Sequence, residues 1–141
     1  MTASHNSKDV GDETEIRVIH DLISSGYSVS IPFGDNDKYD LIVDDAGELH
    51  RILCETGWET QKGTIQFNTH SQTTRNGECH EQPYEDGIDA FVVRYPPNQT
   101  LYWIDADDAS DREMELRFEA DIDHPAINWA GNYVFDGAIP Q

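Results

Sequence analysis

The chain opens with a polar stretch, and from Lys8 to Ser25 apolar positions recur at helical spacing. Val18, Ile19, Leu22 and Ile23 form the stripe, and Gly26 follows as a C-terminal stop. Glu15 lies three and four residues before Val18 and Ile19, so it projects from the apolar side. The pattern then changes to alternation. Tyr27–Ile31 reads as a short strand, residues 32–38 as a turn-rich loop, Tyr39–Val43 as a strand and Asp44–Gly47 as a hairpin turn. Leu49–Thr56 is the next strand, centred on Ile52, Leu53 and Cys54. Thr64–Thr69 is expected as its hairpin partner, with the turn near Lys62-Gly63. Residues 70–87 read as a long polar, irregular loop.

Ala90–Tyr95 and Leu101–Ile104 are apolar strands joined by a turn at Pro96–Gln99. Asp105–Asp111 is an acidic loop, and Met114–Phe118 alternates as an edge strand. Asp123-His124-Pro125 opens a final segment in which Ile127 and Trp129 dock a short helix or turn. Residues 1–7 are expected to be disordered and 8–141 to form one domain. This order predicts an α/β or α+β fold with a mixed sheet and a terminal helix.

Composition narrows the class. With 141 residues the chain suits one domain able to bury its own core. Hydrophobic residues make up 37%, enough to exclude disorder over most of the length. No apolar run approaches the ~20 residues of a membrane span. The opening MTASHNSKDVGDETE lacks a basic region followed by an apolar one, so no secretory signal is predicted and a cytoplasmic, soluble protein is expected. The acids number 28 against 9 Lys and Arg, a net charge of −19, and the lysines are Lys8, Lys38 and Lys62. The acids are scattered, which argues against an acidic tail. A halophilic protein fits this surface better than a binder of basic partners. In molar salt the Debye length falls to ~3 Å, so the charge does not exclude DNA as a partner. Cys54 and Cys79 suggest no disulfide framework, and neither they nor the histidines show zinc-ligand spacing.

The candidate chemistry is carboxylate chemistry. Asp40 begins a strand after the loop at residues 33–38, and Glu55 lies near the end of the next strand. Across a meander the two would sit at the same end of neighbouring strands, and Glu15 on a covering helix would add a third acid. Three acids about one point would bind Mg²⁺ or Mn²⁺, hard ions that take oxygen ligands. Such an ion polarises a phosphoryl group and acidifies water. The plain alternative is that these are three of 28 surface acids.

Four blocks carry a resemblance: residues 11–15, 31–36 (IPFGDN), 39–44 (YDLIVD) and 51–58 (RILCETGW). With residues 88–91, 101–105 and 127–130 they resemble, in order, the PD-(D/E)XK endonucleases related to the group I intron-encoded type. The resemblance implies a restriction-endonuclease-like mixed sheet carrying a nuclease site, a helix glutamate matched by Glu15 and a metal-binding aspartate matched by Asp40. It also exposes a departure. Relatives would read Arg-Val/Ile-Gln-Cys-Lys-Thr-Gly where this chain has Arg51-Ile52-Leu53-Cys54-Glu55-Thr56-Gly57. Leu53 offers no ligand oxygen, and Glu55 reverses the charge of the expected lysine. Losing such a cation costs on the order of 10²–10³ in rate. Glu55 is then either a substitute metal ligand, or part of an inactive relative that binds DNA or protein. Lys62 is a candidate to reach in from its turn. A homodimer would supply two sites for two DNA strands.

Other conspicuous residues have simpler readings. Trp58, Trp103 and Trp129 are core or rim aromatics. Arg51 and Arg75 do not make a basic stripe, and His70 and His80 are exposed loop residues rather than general bases. The lack of Lys and Arg around Asn68 and His70 argues against tight DNA binding at ordinary salt.

Overall fold

A computed structural model describes residues 7–34, 36–75, 78–83, 87–110, 112–119 and 124–140, with 7 and 70–83 described by backbone alone. Helix α1 spans Ser7–Ser24. Gly26, at φ +98°, ends it: its N–H donates to Ile23 O (3.0 Å), while Tyr27 N–H donates to Leu22 O (3.1 Å). That pair of bonds is the Schellman arrangement, and the left-handed φ suits glycine. Val18 and Leu22 are fully buried and Ile19 packs beside them, but Ile23 is mostly exposed. The buried stripe is therefore narrower than the sequence suggested.

The strands are β1 (Ser28–Ser30), β2 (Leu41–Asp45), β3 (Glu48–Thr56), β4 (Trp58–Glu59), β5 (Thr64–Asn68), β6 (His70–Arg75), β7 (Glu78–Pro83), β8 (Ala90–Tyr95), β9 (Thr100–Asp105), β10 (Glu113–Arg117) and β11 (Val134–Phe135). Among the described residues they form a six-stranded sheet β1-β2-β3-β8-β9-β11, a three-stranded sheet β10-β5-β4 and the β6–β7 pair. The pairings in the large sheet are antiparallel except β3 with β8, which run parallel with Ile52 opposite Ala90 and Thr56 opposite Arg94. Ala46 (φ +53°) and Gly47 (φ +96°) make the two-residue turn from β2 to β3, the left-handed geometry that tight hairpins require.

Alternation in the central strands splits the core in two. On one face Ile52, Ala90 and Val92 meet Val18 and Leu22 of α1. On the other, Leu53, Phe91 and Val93 meet Ile65 and Phe67 of β5 and Met114 and Leu116 of β10. β8 is buried along its whole length, as befits a strand covered on both sides. Each buried Leu, Ile or Phe side chain contributes about 1.5–3 kcal/mol.

Three expectations are corrected. β5 does not pair with β3. It pairs with β4 and β10, and the turn near Lys62-Gly63 joins β4 to β5. Gly57 separates β3 from β4, and a Cβ there would stand 2.6 Å from Ile65 Cγ2, so the chain leaves the large sheet at a residue that must stay small. Residues 70–87 are not an irregular loop throughout, because β6 and β7 pair antiparallel from His70 opposite Pro83 to Arg75 opposite Glu78. The signal was present: Asn76-Gly77 is a favoured hairpin dipeptide, and Thr73-Thr74 suits strands. Among the described residues the C-terminal segment forms no α-helix. It makes a 3-10 turn at Ala130–Asn132 and then β11, which pairs with β9. Two further expectations fall mainly beyond the description: disorder at 1–7, of which only Ser7 is described, as the start of α1, and the surroundings of the Arg75, His70, His80 and Cys79 side chains.

Candidate active site

Asp40 sits one residue before β2. Its backbone N–H donates to Ile52 O (2.8 Å), and its Oδ2 accepts from the Cys54 backbone N–H (2.8 Å). These two bonds pin the carboxylate to β3. Glu55 is the next residue on β3. Because neighbours on a strand face opposite ways, Cys54 turns toward α1 while Glu55 shares a face with Leu53. Glu15 comes from the third turn of α1 and lines an open cleft of about 220 Å³ with Asp40, Asp37, Tyr39 and residues Ile31, Pro32 and Gly34 of the preceding loop.

The electrostatics tie the three acids together through Asp40. Burial raises the Asp40 carboxyl above its usual range, and the Cys54 N–H partly offsets this. Glu55 is pushed up to about 8, first by burial and then by the Asp40 charge. Glu15 is raised by burial, then by Asp40 and Asp12. The Asp40 charge thus bears on both glutamates. The Cys54 thiol is raised well above its usual range by burial and by Asp40, Glu15 and Glu55 together. Among the described residues no Lys, Arg or His pairs with Glu15, Asp40 or Glu55.

Asp40 thus adjoins each glutamate, but Glu15 stands on the helix side of the large sheet and Glu55 on the other, and among the described residues no three His, Cys, Asp or Glu side chains stand close enough to hold one ion. Leu53 is 7% exposed and belongs to the core beneath Glu55. Lys62 is exposed, in the turn between β4 and β5. Arg51 is engaged by Asp89, through its Nε (3.2 Å), Nη2 (3.1 Å) and backbone N–H (2.7 Å), and the bond lowers the Asp89 carboxyl. Trp103 is buried, Trp58 is exposed at the β4 edge, and Trp129 is half-buried.

One group beside the site gave no motif in the sequence. Arg94 of β8 is 4% exposed, and its Nε donates to Thr14 Oγ1 (2.8 Å). Thr14 Oγ1 lies 2.6 Å from Thr56 Oγ1. The Arg94 guanidinium also donates to Val10 O (3.3 Å) and Gln99 Oε1 (3.4 Å) and stands 3.7 Å from Glu13 Oε2. The only hint was one charged residue in the apolar run AFVVRY.

A helix lies on a mixed sheet, with Asp40 at the start of β2, Glu55 near the end of β3 and Glu15 on the helix. The sequence profile of the PD-(D/E)XK endonucleases matches residues 5–136, and the chain belongs to that family. It is similar to the solved structure of a bacterial homing endonuclease, I-Ssp6803I, with a TM-score of 0.77 and 22% identity over 92% of this chain and 89% of that one. At that identity the likeness bears on the fold, which is restriction-endonuclease-like. Comparison with curated proteins finds no match. No helix among the described residues is long and apolar enough to cross a membrane.

Proposed function

We propose that the chain is a divalent-cation-dependent DNA endonuclease, slowed by the loss of the lysine, in which Asp40, Glu55 and Glu15 hold the ion. The carrying observation is Glu55: a half-buried carboxylate beside Asp40 that no cationic side chain among those described neutralises. Ionising it there without a counter-charge would cost several kcal/mol, so at neutral pH it keeps its proton, and a divalent cation is the complement that would displace that proton. The donor set fits Mg²⁺ or Mn²⁺ by chemistry. Mg²⁺ takes one or two carboxylates, keeps several waters and adds substrate phosphate oxygens, so it requires no preformed three-acid cage.

When bound, such an ion polarises the scissile phosphoryl group and lowers the pKa of water. The chain's own part is to place and discharge acids. Cys54 N–H fixes the Asp40 carboxylate. Glu55, protonated at neutral pH, must release its proton to become a ligand. Leu53 closes the inner wall without contributing an oxygen. At the lysine's position Glu55 brings no positive charge to the attacking oxygen, a loss worth on the order of 10²–10³ in rate.

DNA as substrate, a homodimer for cutting both strands, a cytoplasmic location and a salt-loving host belong to the same proposal. The test is plasmid nicking in molar KCl with Mg²⁺ or Mn²⁺. Cleavage is expected for the wild-type chain and its loss for Asp40→Ala; equal cleavage by both refutes the assignment. A pH-stat titration with Mn²⁺ at pH 7 is expected to release about one proton per ion from the wild-type chain and almost none from Glu55→Gln. The second reading, an inactive module that binds DNA or protein, is favoured by the burial of Leu53 in the core. It predicts no nicking under any of these conditions.

A further inference from the structure

The helix that carries Glu15 is fastened to the strand that carries Glu55 by a buried polar contact. We propose that Thr14 and Thr56, bridged through their hydroxyls and held by Arg94, are positioning residues that set Glu15 against Asp40 and Glu55. This rests on the reading of those three acids as one site.

The geometry carries the argument. Thr14 is 1% exposed and faces the sheet, and the next residue, Glu15, is rotated by about 100° around the helix. Thr56 Oγ1 meets Thr14 Oγ1 at 2.6 Å, between residues 42 apart in sequence. Glu55, one residue earlier, faces the other side of the sheet. Each threonine therefore adjoins an acid, and a contact between the hydroxyls fixes the height of the helix turn against the end of the strand. Arg94 sets the direction of the bonding. Arginine cannot accept, so Thr14 Oγ1 receives its Nε–H whichever hydroxyl donates to the other. The guanidinium also binds Val10 O and approaches Glu13, holding the first turns of α1 from the neighbouring strand β8. Among the described residues no hydrogen bond of the three acids joins α1 to β3: Asp40 is bonded to β3, and Glu15 makes no hydrogen bond to either strand.

A simpler role is cementing the helix, and it is separable by experiment. Thr56→Val removes one hydroxyl and leaves the Arg94–Thr14 bond in place. Thr56→Ser keeps the hydroxyl. In the full-length folded chain, nuclear Overhauser contacts between Glu15 and the other residues that line its cleft are expected in the wild type and in Thr56→Ser, and lost in Thr56→Val. Mn²⁺ titration followed by electron paramagnetic resonance is expected to show about tenfold weaker binding for Thr56→Val and recovery in Thr56→Ser, a usual consequence of disturbing groups behind ligands. Glu15 contacts that survive in Thr56→Val overturn the proposal whatever the metal result. If the wild type binds no Mn²⁺, the metal-site reading falls, and the Overhauser contacts still decide the positioning role. If Thr56→Val does not fold, Thr14→Ser against Thr14→Val is read in the same way.

Discussion

The two faces of the β3–β8 pair each hold an ionisable group away from solvent and treat it in opposite ways. Toward the helix, Arg94 is enclosed and bonded to Thr14, Val10 and Gln99, with Glu13 beside it. Toward the second sheet, Glu55 is half-buried beside Asp40, keeps its proton at neutral pH and has no cationic partner among the described residues. A buried cation with a partner at each of its nitrogens is complete within the chain, and its work is structural. An acid that can ionise only against a like charge is complete only with something added. The contrast separates scaffold from site without any reference to relatives, and each of the following variants tests it.

The largest expected effect is on activity. Leu53→Gln with Glu55→Lys restores the ligand oxygen and the cation that relatives would carry, and is expected to raise the nicking rate by about 10²–10³. Unchanged nicking would mean that the site lacks more than those two groups. Next is Arg94→Met, which keeps the length of the side chain but strips Thr14 and Val10 of their donor. It is expected to lower unfolding free energy by about 3 kcal/mol, measured by urea denaturation at fixed KCl. A loss below ~1 kcal/mol would make the helix-side network ornamental.

Glu55→Gln is expected to act in the opposite sense and only at high pH. The folded Glu55 titrates at about 8, against 4.5 for an ordinary glutamate. Between those values the unfolded chain sheds a proton that the folded chain keeps. The contribution to stability is thus fully present below the lower value and lost as pH rises through 8. Glutamine carries no such proton. At pH 9 and without divalent ions the variant is expected to exceed wild type by on the order of 3 kcal/mol, and at pH 5 to match it closely. Parallel stability curves would show that Glu55 is not strained. Asp89 works in reverse, since its bond to Arg51 lowers its carboxyl and is lost as acid is added.

Much of this was legible along the chain, and the limits were physical. α1, the β2–β3 turn and the strands β8 and β9 are local patterns, and each lies within a residue or two of its expected place. The positions of Asp40 and Glu55 at one end of adjacent strands followed from hairpin geometry alone. The partner of β5 did not, because pairing after a break at Gly57 depends on contacts with Ile65 and Val93. The Thr14–Thr56–Arg94 network was equally hidden. Its members are up to 80 residues apart, and no spacing rule links a helix threonine to a strand arginine.

The parallel pairing of β3 with β8 has a consequence for the order in which the molecule takes shape. The acids all lie within the first 55 residues, on α1 and on a hairpin closed by two residues. Their neighbourhood can form while the rest of the chain is still loose, because short-range closure is cheap in entropy. Arg94 arrives only after the whole excursion through β4–β7 has been completed and β8 has docked. The charged centre is drafted early by local contacts and locked late by a distant one, so changes of length between Gly57 and Asp89 should alter the speed of locking more than the layout of the acids.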